Sequence, residues 1–187
     1  MPSEAPYLGQ HCRSPYSWRE QLGRILWRVV EGTIFRWSPT FLHSWRAWLL
    51  KGFGADIPAP GQVVIFPSAS VHFPWRLTLE PRVMIGRHVR LYNLGRITLR
   101  RGANISQYTH LCAGSHDYCS WSMPVQPGEI VIGENVWVAA QVFIGPGVTI
   151  GNLCVVGAGS VVVSNLPSRV VAAGNPCRPL KPRPEPQ

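Results

Sequence analysis

Six histidines give the chain imidazoles able to exchange a proton near neutral pH: His11, His43, His72, His88, His110 and His116. Only His116 falls in a long segment that interrupts the repeating pattern, inside Gly114-Ser115-His116-Asp117-Tyr118. That placement makes His116 the candidate general base. Asp117 follows directly, and its carboxylate either binds a hydroxyl or a neighbouring imidazole, or simply favours a turn. His110, six residues before His116, reads as structural. The five cysteines (Cys12, Cys112, Cys119, Cys154, Cys177) are odd in number and form no CxxC. They read as reduced thiols of a cytosolic protein, neither a disulfide frame nor a zinc site. Gly145-x-Gly147 lacks the third glycine and the βαβ setting of a dinucleotide fingerprint, so it is set aside.

The elements that must position these groups are visible as a period. Ile132, Val138, Ile144, Ile150, Val156 and Val162 recur every six residues, and the first five are each followed by a small residue, Gly133, Ala139, Gly145, Gly151 and Gly157. Four positions after each aliphatic comes Val136, Val142, Val148, Cys154 or Ser160. A looser series precedes it: Ile65, Val71, Leu79, Ile85, Leu91, Leu99, Ile105 and Leu111. Its two eight-residue steps, 71 to 79 and 91 to 99, lie 20 residues apart. If three repeats close one turn, both insertions fall at the same corner of successive coils, and the excursion at 112–131 occupies the next visit to that corner. Each repeat supplies one very short strand and one tight turn, with the aliphatic pointing into a triangular prism. At ~4.8 Å per coil, roughly five coils make a prism about 24 Å long. Its open ends need covers.

The 187 residues suit one domain with a terminal extension. Residues 1–56 read as a helical, Trp- and Arg-rich extension, 57–168 as the repeat domain with its active-site loop at 112–131, and 169–187 as a tail. In the extension Trp18, Leu22, Ile25 and Val29 share a helical spacing, and Phe41, Leu42, Trp45, Trp48, Leu49 and Phe53 form a second stretch. These helices either cover one end of the prism or lie in a membrane interface. The Pro-rich tail is a natural cover for the other end. No uncharged apolar run reaches 18 residues and no signal-peptide core is evident, so a cytoplasmic protein is expected, with peripheral membrane contact left open. Eighteen Lys and Arg against nine Asp and Glu leave +9, which favours an anionic partner. Residues 76–101 hold seven Arg and one acid, Glu80. No nucleic-acid module accompanies them, so nucleic acid is not expected as the partner.

The six-residue [LIV]-[GAED]-x-x-[STAV] period over about residues 63–181 resembles the left-handed parallel β-helix acyltransferases. ISQYTHLCAGSHDY, IVIGENVWVAAQVFIGPGVTIGNLCVVGAGSVVV and VVAAGNPCRPLK look most like sugar O-acetyltransferases of the colanic-acid-biosynthesis type. The resemblance implies an all-β solenoid, a left-handed parallel β-helix of about five coils with an N-terminal helical extension, assembled as a homotrimer. It implies an acetyl-CoA-dependent O-acetyltransferase acting by direct transfer to a sugar hydroxyl of an exopolysaccharide or surface glycan, without metal.

The same resemblance implies roles for individual residues. His116 is the base, and Asn93 and Asp117 lie near the acceptor, although Asn93 also suits a turn. The Ala140 N–H is the oxyanion or thioester contact, where a Gly-Ser pair is usual and Ala139-Ala140 stands here. Trp137 flanks the cofactor channel or packs between subunits, and Ala158 lines the pantetheine arm. Ser164 stands where the relatives have Lys, which puts a phosphate contact in doubt, while Arg178 and Lys181 either meet coenzyme A phosphates or form a solvated tail. Competing readings are a xenobiotic (antibiotic) O-acetyltransferase, a non-catalytic trimeric scaffold, and a zinc hydrolyase of the carbonic anhydrase type, which needs three converging His.

Overall fold

Two-residue strands cannot bury themselves, so each must stack on its counterpart one coil away. The computed structural model, which describes residues 16–185, shows this stacking on three faces. His11 and Cys12 lie outside the described residues. The first face holds Val64–Ile65, Met84–Ile85, Asn104–Ile105, Trp137–Val138, Val155–Val156 and Val170–Gly174, all parallel. The second holds Ser70–Val71, Arg90–Tyr92, His110–Cys112, Phe143–Ile144 and Val161–Val162. The third holds Leu77–Leu79, Ile97–Leu99, Ile130–Ile132 and Thr149–Ile150. Every aliphatic of the six-residue register, from Ile65 to Val162, is buried in one continuous core.

The register places the irregular steps as the period implied. Residues 72–76, 93–96 and 113–129 all connect the second face to the third. The longest of them leaves the prism as a β-hairpin, Gly114–His116 paired antiparallel with Val125–Pro127. Its neck is closed by the Gly128 N–H donating to the Ala113 carbonyl at 3.0 Å.

At the N-terminal end, Ser17 caps α1 (Trp18–Val30) through a reciprocal capping box with Glu20. A π-helical turn, Glu31–Phe35, and α2 (His43–Gly52) follow. These segments satisfy the open edge of the first coil with side chains. Trp27 Nε1 donates to the Val71 carbonyl (2.7 Å), Glu31 Oε1 accepts the Val71 N–H (2.8 Å), and Arg46 Nε donates to the Ile65 carbonyl (2.6 Å). Arg46 is fully buried and its guanidinium also reaches Ser38 Oγ and the Pro39 and Thr40 carbonyls. Asp56 continues the third face above Thr78. At the other end the first face runs past the expected boundary at residue 168, because Val170–Gly174 stacks on Val155–Val156 and then folds back against Cys177–Pro182.

Candidate active site

His116 ends the first strand of the hairpin and is exposed. Its Nδ1 lies 2.7 Å from the Met123 carbonyl, an acceptor only, so Nδ1 carries the proton and Nε2 the lone pair. Met123 holds that carbonyl in place with a left-handed backbone, φ 40°. Asp117 tightens the same hairpin. Its N–H donates to the Pro124 carbonyl (2.9 Å) and its Oδ1 accepts the Cys119 N–H (2.9 Å). The other carboxylate oxygen has no partner among the described residues.

A second feature runs along the corner between the first and second faces. An apolar groove of about 480 Å³ is lined there by Ser106, Gln107, Trp137, Ala139, Ala140 and Ala158, with Val155 and Gly157 beneath them. Trp137 projects from the first face and is fixed by its Nε1 donating to Ser106 Oγ at 3.0 Å. At this corner each turn spends the N–H groups on either side of its middle residue on the next coil. Ala139 donates to Val156 and Gln141 to Gln107, while Gly157 donates to Ala172 and Gly159 to Ala140. Among the described residues the middle N–H groups, of Ala140 and Ala158, have no acceptor. At the corner between the third and first faces, the equivalent Glu134 N–H is taken by Asn152 Oδ1 (2.9 Å). Asn152 in the next turn of that corner also has an N–H with no acceptor among the described residues, so what sets the groove corner apart is the apolar wall beside its free donors.

The expected site residues therefore fall into groups. Trp137, Ala140 and Ala158 share one groove. Ser164 and Arg178 meet, with the Arg178 guanidinium donating to Ser164 Oγ at 3.3 Å, so a cation reaches the place where Ser164 had removed one. Lys181 is exposed on the terminal strand opposite Val171. His116 and Asp117 stand at a different corner of the same prism and do not line the groove.

Asn93 stands apart from these groups. It is fully buried; its Oδ1 accepts the N–H groups of His72 (3.1 Å) and Phe73 (2.9 Å), and its Nδ2 donates to the Phe73 carbonyl (2.6 Å). Through these bonds the amide holds the start of the 72–76 insertion, the turn role its residue type also suited. His110 packs between Tyr92 and Phe143, and burial, followed by the nearby Arg90 charge, lowers its pKa. Among the described residues no three His, Cys, Asp or Glu converge as a metal site would require, which leaves the zinc reading without ligands there. Sequence reasoning missed Ser106, Gln107 and Met123. The first two were recoverable, since Ile105 pairs with Val138 and so sets Ser106-Gln107 beside Ala139-Ala140.

Residues 129–164 match the family model for bacterial transferase hexapeptide (six repeats). The putative colanic acid biosynthesis acetyltransferase WcaF of Escherichia coli (strain K12) is 48% identical over 160 residues, 86% of this chain and 87% of that protein. A maltose O-acetyltransferase from Clostridium difficile 630 overlays with a TM-score of 0.79 at 22% identity, covering 90% of each chain. A hexapeptide-repeat acetyltransferase from Vibrio cholerae, solved with acetyl coenzyme A, gives the same TM-score at 24% identity over 92% of this chain and 93% of that one. The shared winding is the left-handed parallel β-helix of about five coils.

Proposed function

Because the chain belongs to the hexapeptide-repeat acetyltransferases, we propose that it moves the acetyl group of acetyl-CoA onto a sugar hydroxyl in surface-glycan or exopolysaccharide synthesis, with His116 as general base. The observation that carries this reading is the bond from Nδ1 of His116 to the Met123 carbonyl. With Nδ1 engaged as donor, Nε2 is the ring nitrogen left to accept a proton from the substrate. Nε2 takes the acceptor hydroxyl proton as that oxygen attacks the thioester carbonyl carbon. The tetrahedral intermediate collapses with loss of the carbon–sulfur bond, and the imidazolium returns its proton to the departing thiolate. The acceptor gains an ester, coenzyme A leaves as the thiol, and His116 is regenerated.

The groove fits the donor. Its apolar floor suits the methylenes of a pantetheine arm, and the free Ala158 N–H suits one of the arm's amide oxygens. Ala140 presents the other free N–H to the developing oxyanion, a contact typically worth 10²–10³ in rate. Trp137 walls the arm, and Arg178 and Lys181 meet the phosphates, Arg178 in the position lent by Ser164. Asp117 offers its unpaired carboxylate oxygen to an acceptor hydroxyl. His116 and the groove occupy separate corners of one prism, which supports a homotrimer in which one copy's hairpin closes over its neighbour's groove. Thiol-reducing cytoplasm, where acetyl-CoA is made, is the compartment that this chemistry and the unpaired cysteines call for. The likeness to a colanic acid biosynthesis enzyme supports the sugar acceptor.

The test is acetyl transfer from acetyl-CoA to a panel of glycosides, followed by thiol release and by mass spectrometry of product, together with surface glycans from cells with and without the protein. Loss of one acetyl group from a glycan identifies the acceptor. Absence of acetyl-CoA binding by calorimetry would leave the scaffold reading, and transfer only to a drug alcohol would leave the xenobiotic one.

A further inference from the structure

The helical cap buries apolar side chains against the prism and carries many more on its outer side. α1 turns Glu20, Gly23, Arg24 and Trp27 toward the prism, where Gly23 lies against Trp75 and Trp27 is fully buried. Its apolar stripe, Trp18, Leu22, Ile25, Leu26 and Val29, faces outward. Ile34, Trp37 and Phe41 extend the apolar exposure beyond the helix, and Trp45 and Trp48 repeat it on α2; Trp37 and Phe41 are 82% and 78% exposed. Side chains of this size gathered in one segment mark a surface that something covers.

Charge says what covers it. The Arg19 guanidinium lies over Trp18 (5.4 Å) and the Lys51 ammonium over Trp48 (5.5 Å). Arg28 joins Arg24, Gln21 and Ile25 around a cavity of about 180 Å³. Among the described residues no ion pair engages Arg19, Arg28, Arg36 or Lys51. Both carboxylates of the segment are turned inward, Glu20 onto Arg76 at 3.0 Å and Glu31 onto the Val71 N–H. The outer face thus combines tryptophans, aliphatics and free cations. A second copy is a poor occupant, because the chain carries +9 overall and would bring further positive charge to a cationic face. Among the described residues no helix is long and apolar enough to cross a membrane.

We propose that this outer helical face docks on an anionic phospholipid bilayer. The tryptophans and aliphatics enter the boundary between headgroups and acyl chains, and the Arg and Lys stems snorkel to lipid phosphates. Because the helices cap the first coil and the hairpin leaves the third, the hairpin's root at Ala113 stands only about 10 Å farther along the prism axis, at two coil spacings of ~4.8 Å. An acceptor held at the headgroup layer would lie within reach. The inference stands apart from the catalytic reading and survives its failure.

The full chain should co-sediment with vesicles of phosphatidylcholine and phosphatidylglycerol but not with phosphatidylcholine alone, and less at 0.5 M than at 0.1 M salt. Each surface cation near the membrane is worth about fivefold in partitioning, so the double variant Arg19→Gln/Arg28→Gln should bind roughly 25-fold more weakly. Ile25→Ser with Trp37→Ser should lose binding even at low salt. Both double variants should keep the wild-type melting temperature, oligomer mass and acetyl transfer to a water-soluble acceptor. Failure of the wild type to bind anionic vesicles overturns the proposal. So does a fall in oligomer mass in the double variants, which would assign the face to a second copy.

Discussion

The Met123 carbonyl gives a way to perturb the base without touching it. Met123 holds a left-handed φ of 40°, which an unbranched side chain tolerates and a β-branched one resists. Met123→Ile should push the backbone out of that region and move the carbonyl away from Nδ1. The bond lost is worth about 0.5–1.5 kcal/mol, or roughly two- to twelvefold in the population of the productive tautomer and ring orientation. Misplacement of the ring by about 1 Å adds up to 10²-fold. Together these predict a kcat some 10- to 100-fold below wild type, with a smaller effect on the KM for acetyl-CoA, since Trp137, Ala140 and Ala158 stay in place. His116→Ala removes the base outright and should cost about 10²–10⁴ in kcat. Met123→Gly, which accepts positive φ freely, should stay near wild type. Thiol release read by a chromogenic disulfide gives both constants. If Met123→Ile turns over like wild type while His116→Ala is inactive, the carbonyl does not orient the ring. If His116→Ala is active, the base lies elsewhere.

Three further outcomes follow from the same structure. Ala158→Phe fills the groove from an exposed position, so it should raise the KM for acetyl-CoA at least tenfold while leaving the melting temperature unchanged. Arg46→Ala strips the buried guanidinium from four oxygens and should lower unfolding free energy by about 3–5 kcal/mol in chemical denaturation. His72 is held down to about 4, chiefly by burial and then by Arg24 and Arg28, so the folded state disfavours its proton relative to the unfolded state near 6.5. Stability should therefore be complete above pH 6.5 and fall as pH drops toward 4, by up to about 3 kcal/mol from this residue. His72→Gln should flatten that part of the profile, and an unchanged slope would clear His72 of the role.

The prism was legible because its rule is local. One buried aliphatic per short strand recurs at six residues, and three insertions at one corner reveal the number of faces. Gly151 shows the rule's physical basis, since a Cβ there would sit 2.5 Å from the Ser168 nitrogen of the next coil. The helices were less legible. Periodicity finds an apolar stripe on α1 but not what the stripe faces. Sealing the edge of a coil takes donors and acceptors such as Trp27, Glu31 and Arg46, so the polar and aromatic side turned inward. The backbone partners of Asn93 were hidden for a related reason, because a turn asparagine and a ligand-binding one look alike until the neighbouring coil is in register. The loop that carries His116 was found from the break in period, whereas its hairpin pairing and the Met123 carbonyl depend on a fold-back that no repeat encodes.

The neck at Ala113 and Gly128 has a consequence for how such a protein can change. The stacked ladder registers only the two ends of the segment between them, so its length and chemistry can vary without shifting a single coil. That makes the hairpin a cassette. Grafting the corresponding stretch of a relative between Ala113 and Gly128 should transplant its taste in acceptors onto an unaltered barrel.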